Sequence, residues 1–160
     1  MKLTHILSML LLSIVSVFRF RAGREEHANA ISPTPNQSGI VTVTLEAALS
    51  TRHLLLAKGT ASASAILCTA ALAPLGPTGD EGAIGDRVSV SLLGAVPGTV
   101  TVIASKAIAE NTNVYATAGG KVTDAVVTGA FWVGKTAPGA VAAADGDPIE
   151  IIPRFPRVNP

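Results

Sequence analysis

One cysteine is present, and that excludes a good deal. Cys68 has no second thiol for an intramolecular disulfide, and no Cys-x-x-Cys pair or Cys/His ligand set accompanies it. Neither a disulfide nor a structural zinc is therefore expected to staple the fold. Cys68 lies in the apolar run Ala65–Ala70, where a small buried hydrophobe is the expected role. Charge is also scarce. Charged residues make up 14% of the chain and the net charge is +1, against roughly 25% charged residues in an average soluble domain. Such a balance leaves no electrostatic footprint for nucleic acid. The one basic cluster, Arg19, Arg21 and Arg24, runs directly into Glu25 and Glu26. A surface this poor in charge suits a protein that buries much of itself against partners. Aromatics are 4% of the residues, so the core must be built from Ala, Val, Leu and Ile.

The chain also lacks a long hydrophobic run. The apolar stretch Ile6–Phe18 is interrupted by Ser8, Ser13 and Ser16 and is shorter than the roughly 20 residues that cross a bilayer. With Lys2 before it and the small residues Ala28–Ala30 after it, the stretch resembles a secretory signal. The charged segment Arg19–His27 stands between the two, where a signal is normally short and uncharged. The other reading is an apolar arm or short helix that docks on a partner, with Ile6, Leu10, Ile14, Phe18, Phe20 and Arg21 as candidate contacts. Residues 29–39 then form a Pro/Ser/Asn linker. The expected organisation is an N-terminal arm and linker (1–39), a β domain (40–153) and an extended C-terminal tail (154–160), whose prolines forbid helix. Phe155 in that tail is a further candidate contact.

What the chain does have is punctuation: 15 Gly and 10 Pro among small and β-branched residues. This composition predicts many short strands and tight turns. "IVTVTL" (Ile40–Leu45), "RVSVSLL" (Arg87–Leu93), "TVTVIA" (Thr99–Ala104) and "PIEII" (Pro148–Ile152) alternate with period two, the signature of a sheet with one buried face. Weaker strand candidates are His53–Ala57, Ala65–Thr69, Asn113–Thr117 and Ala130–Gly134. No segment after residue 40 carries a helical stripe. Gly94–Gly98 and Gly119-Gly120 read as turns.

These features occur twice. Shifted by about 60 residues, Ile40–Gly59 lies over Val100–Gly119, and Pro74–Leu92 then lies over Trp132–Ile152. Gly76 meets Gly134, Gly85-Asp86 meets Gly146-Asp147, and Val88 and Val90 meet Ile149 and Ile151. The expected fold is all-β, a sandwich or barrel built from two similar units of about 60 residues (40–93 and 99–153).

The duplication also decides the one candidate acid pair, Asp145-Gly146-Asp147. The first unit keeps Gly85-Asp86 but has Ile84 where the second has Asp145. The shared element is thus a turn in which Gly supplies a positive φ and Asp accepts backbone N–H groups. A metal would need more converging oxygens. "GPTGDEG" (Gly76–Gly82) matches neither a P-loop nor an EF-hand. The histidines His5, His27 and His53 are scattered, and no Ser sits in a GxSxG elbow. Phe131 and Trp132 are expected to fill the core or an interface. No catalytic, cofactor or metal residue is nominated, and the expectation is a protein that is not an enzyme.

The segments "GDRVSVSLLGAVPGTVTVIASKAIAENTNVYATAGGKVTD" (Gly85–Asp124) and "GAFWVGKTAPGAVAAADGDPIEIIP" (Gly129–Pro153) resemble the capsid cement or decoration proteins of tailed bacteriophages. The likeness spans roughly residues 38–153. It implies a non-enzymatic, cofactor-free β protein on the outer surface of an icosahedral shell of HK97-type major capsid protein. Such a protein would be a trimer or dimer, with no nucleic acid or membrane as direct partner. Met1–Gly39 is not part of that pattern and would be an arm reaching over neighbouring subunits. The alternative is a secreted bacterial β-domain of surface-layer or adhesin type with a cleaved signal peptide.

Overall fold

The computed structural model describes residues 39–160. Ile6, Leu10, Ile14, Phe18, Phe20 and Arg21, and with them the choice between arm and signal, lie outside the described residues.

Ten strands follow one another: β1 (Ile40–Leu45), β2 (Leu55–Lys58), β3 (Ser64–Leu67), β4 (Pro74–Pro77), β5 (Arg87–Ser91), β6 (Val100–Ile103), β7 (Asn113–Ala116), β8 (Val122–Thr123), β9 (Phe131–Thr136) and β10 (Pro148–Val158). The only helical element among the described residues is one 3-10 turn, Ala118–Gly120. The period-two segments became β1, β5, β6 and β10, and their alternation is what is buried: Val43 and Leu45, Val88 and Val90, Ile149 and Ile151 all point inward. None of the described helical structure is long and apolar enough to cross a membrane.

Each unit makes its own five-stranded sheet. The orders are β4-β2-β3-β1-β5 and β6-β10-β9-β7-β8. They look different only because the two sheets open at different places. A bridge between Thr78 and Val90 links the outer strands β4 and β5 of the first sheet, and one between Ala104 and Val122 links β6 to β8 in the second. Read around the ring, both units run first–fifth–fourth–second–third strand. In both, the first and third strands meet in parallel and all other neighbours are antiparallel. The two-unit all-β fold expected from the sequence is the fold observed.

The correspondence reaches single residues. The β2–β4 ladder slips between Leu56 and Ala57, and the β7–β9 ladder slips at the equivalent Val114 and Tyr115. Next to each slip sits a glycine. A methyl at Gly76 would run into the carbonyl oxygen of Ser91, and one at Gly134 into that of Ile152. His53 and Asn111 both adopt positive φ, 64° and 56°. Thr78 and Thr136 are fully buried at matching places. The Thr136 hydroxyl donates to the Ala109 carbonyl (2.9 Å) and accepts from the Thr112 N–H (2.8 Å).

Two apolar clusters fill the units. Val43, Leu45, Leu49, Leu56, Ala65, Val88 and Val90 form the first. The second contains Val102, Val114, Val122, Val133, Ile149 and Ile151, and it also takes in Leu55, Ala57, Cys68 and Leu93 from the first unit. Strand β2 is therefore buried on both faces: Leu56 points into its own unit, while Leu55 and Ala57 join the second. The Gly120 N–H donates to the Cys68 carbonyl at 2.9 Å across this junction. Cys68 is wholly buried there, and desolvation pushes its thiol up to about 12.

Two strands had no counterpart in the sequence reading. β4 is "PLGP", whose prolines hide the alternation, and β8 has two residues. β10 runs on to Val158, so residues 154–158, set apart above as a tail, are extended and belong to the sheet.

Candidate functional site

The two Gly-Asp turns superimpose in their bonding. Gly85 and Gly146 both have φ of 91°, a conformation that glycine adopts without steric cost. The Asp86 carboxylate accepts the Ala83 N–H at 2.7 Å; the Asp147 carboxylate accepts those of Ala143 and Ala144, each at 2.9 Å. The peptide groups match as well: Leu45 N–H to Asp86 C=O and Ala104 N–H to Asp147 C=O, both 2.9 Å. Asp145 does something else. It is exposed and pairs with Lys121 at 2.6 Å. The acid pair thus divides into a turn-closing residue and a surface ion pair. Asp147→Ala is expected to lower unfolding free energy by about 1.5 kcal/mol, the scale of hydrogen bonds to a charged group. Asp145→Ala should cost under about 0.5 kcal/mol. Urea melts of the two variants check this ordering.

The acids of the Gly76–Gly82 loop, and Glu46, also hold loops. Asp80, in the Gly76–Gly82 loop, accepts from the Ser89 hydroxyl (2.7 Å) and N–H (2.9 Å), and these bonds, the hydroxyl's first, hold its carboxyl below the usual range. Glu81 reaches Arg52 at 3.5 Å. The Glu46 carboxyl is held down to about 2, first by the Ala61 N–H (2.8 Å), then by the Ser64 hydroxyl and the Thr60 N–H, and last by the Thr60 hydroxyl, and so fastens the β2–β3 connection. His53 sits in a turn at the start of β2. Among the described residues no three His, Cys, Asp or Glu side chains converge as metal ligands.

The surface features lie elsewhere. A shallow groove of about 300 Å³ is lined by Asn113, Tyr115, Trp132, Arg157, Asn159 and Pro160. Register builds it: Tyr115 lies opposite Trp132 across β7–β9, and Trp132 opposite Arg157 across β9–β10. Phe131 is half-buried against the second cluster, while half-buried Trp132 faces the groove. The structure moves the sequence superposition of Ile40–Gly59 on Val100–Gly119 by two residues in this part, because the pairing of Leu56 with Gly76 and of Val114 with Gly134 sets the register. Tyr115 and Asn113 are then the equivalents of Ala57 and Leu55, the two residues the first unit buries against the second. On the second unit the same strand face instead lines the groove together with residues of the C-terminal segment. Pattern reading gave no sign of this groove, because three separate stretches form it. Phe155, singled out from the sequence, is 67% exposed. It stands at an irregularity of the β9–β10 ladder between Pro153 and Arg157, with one side of its ring against Gly94.

The fold is shared with a solved structure, the N base of head fiber gp8.5 in bacteriophage phi29. The TM-score is 0.58 at 14% identity, and the match covers 76% of this chain and 98% of that one. No family model matches the sequence. No curated protein matches it either.

Proposed function

We propose that this chain is a structural protein of a phage virion, one that binds the outer surface of the icosahedral shell and stabilises it. The observation that carries this reading is the shared fold with a phage head fiber base, whose whole length is matched by the β body of this chain. Three features support it. The acids first considered as candidate chemistry are engaged in turns and ion pairs. The surface is poor in charge. Large exposed apolar side chains, Ile84, Val126, Val141 and Phe155, remain on a small body, and such surface favours association.

The mechanism is mass action. A protein that binds the assembled lattice better than free subunits shifts the balance toward the lattice, with no reaction of its own. In the decoration-protein form of this reading the partner is an HK97-type major capsid protein and the chain works as a trimer or dimer, without a cofactor.

Particles assembled without the chain provide the test. They are expected to release DNA at a lower temperature than complete particles, and adding the purified chain should restore the difference. Particles of unchanged heat stability, with no chain sedimenting on them, would refute the proposal.

A further inference from the structure

The second unit carries six residues of strand that the first does not have. By the equivalence of the units, β5 ends at Ser91 where β10 reaches Ile152, yet β10 continues to Val158. Closure of the second unit does not need them: β10 has paired with β6 by Ile151 and with β9 by Ile152. The extra length is nonetheless firmly held. Val158 pairs with Phe131, the Asn159 N–H donates to the Ala130 carbonyl at 2.8 Å, and its carbonyl accepts the Gly129 N–H at 2.9 Å.

Between these two anchored points the sequence is Pro153-Arg-Phe-Pro-Arg157. Two prolines stiffen it, and the β9–β10 register shifts between Pro153 and Arg157, on either side of Phe155. One side of the ring is seated: a Cβ on Gly94 would lie 2.8 Å from it, so the Gly94 turn is shaped to receive it. The rest of the ring is open. Ile152 and Val158 on the same strand are exposed as well, as is Val127, whose carbonyl accepts from the Asn159 side-chain amide. Arg154 and Arg157 flank the ring and are exposed. Neither takes part in the ion pairs of the described residues, which are Arg52–Glu81, Lys106–Asp124 and Lys121–Asp145. No acid occurs from Ile151 to Pro160.

A seated but exposed aromatic, with exposed apolar residues on the same strand and two guanidinium groups that make no ion pair among the described residues, makes a docking anchor. Such a group loses little conformational freedom on binding, and arginine meets carboxylates in two-pronged hydrogen bonds. We propose that the Arg154–Arg157 segment is the site by which this chain docks, and that its partner is a protein surface with an apolar socket for Phe155 rimmed by Asp or Glu. This assignment rests on the capsid reading and names the surface and chemistry of that contact.

The test uses the full chain and shells of the corresponding major capsid protein stripped of it, with binding measured by sedimentation over a range of salt. Phe155→Ala is expected to weaken binding about 30-fold, the scale of an interface hot spot. Arg154→Glu with Arg157→Glu should weaken it at least tenfold at low salt and flatten its salt dependence. Ile84→Ala, an equally exposed apolar residue on the first unit, should bind as the wild type does. Thermal melts confirm that each variant is folded. Wild-type binding that survives both the Phe155 and the arginine changes overturns this docking site and leaves the capsid reading standing. A wild-type chain that binds no shells removes both.

Discussion

Gly134→Ala is expected to lower the melting temperature by about 15 °C, corresponding to a loss of about 4 kcal/mol. The reason is steric. A methyl at this position enters the carbonyl oxygen of Ile152 on the neighbouring strand. Neither atom can yield: the oxygen belongs to backbone inside a sheet, and Gly134 is itself paired with Val114 on one side and Pro153 on the other. Relief would require β9 and β10 to separate at the end of the Ile151–Pro153 run of pairs. Gly76→Ala should do the same in the first unit, where the obstacle is the Ser91 carbonyl. The contrast is Gly139, a positive-φ glycine (78°) with open space around it, where alanine should cost only about 1 kcal/mol of backbone strain. Thermal denaturation of the three variants checks the order. A Gly134→Ala protein that melts with the Gly139→Ala protein would remove the close approach as the reason for this glycine.

The second large effect is expected at the junction between units. Leu55→Asn gives the first unit the residue that the second unit carries at the equivalent Asn113. Leu55 is fully buried against the second cluster, so the change removes a leucine from the core and encloses an amide without assured partners. Together these should cost about 4 kcal/mol. The reciprocal Asn113→Leu lies on an exposed position and should change stability by less than about 0.5 kcal/mol. Urea unfolding of the two variants measures the difference. Equal effects would show that the units do not lean on each other through β2.

The sequence made the strands and the duplication visible because both are local signals. Alternation in Ile40–Leu45 and Arg87–Ser91 survives as burial alternation, and Gly76 over Gly134 marks the same close approach in each unit. Gly85-Asp86 and Gly146-Asp147 were readable as turns because a glycine with positive φ followed by an acceptor is a one-turn device. What escaped was set by partners distant in sequence. β4 is a strand because β2 supplies its hydrogen bonds, not because "PLGP" favours extension. Tyr115, Trp132 and Arg157 share a groove only through two registers and a ladder slip. Phe155 was noticeable as an aromatic between prolines, but its seat on Gly94 and the absence of an ion pair at its arginines among the described residues needed the tertiary structure.

The long final strand has a mechanical consequence. A partner that grips Phe155 pulls on β10. The bonds of an antiparallel ladder lie across the strand direction, and β10 is held by β6 at Pro148–Ile151 and by β9 from Ile151 to Val158. Tension along the strand therefore strains many of these bonds in shear together, whereas a pull from the side would open them one after another. Tension that reaches Phe155 along β10 is thus met in the direction along which the ladder resists best.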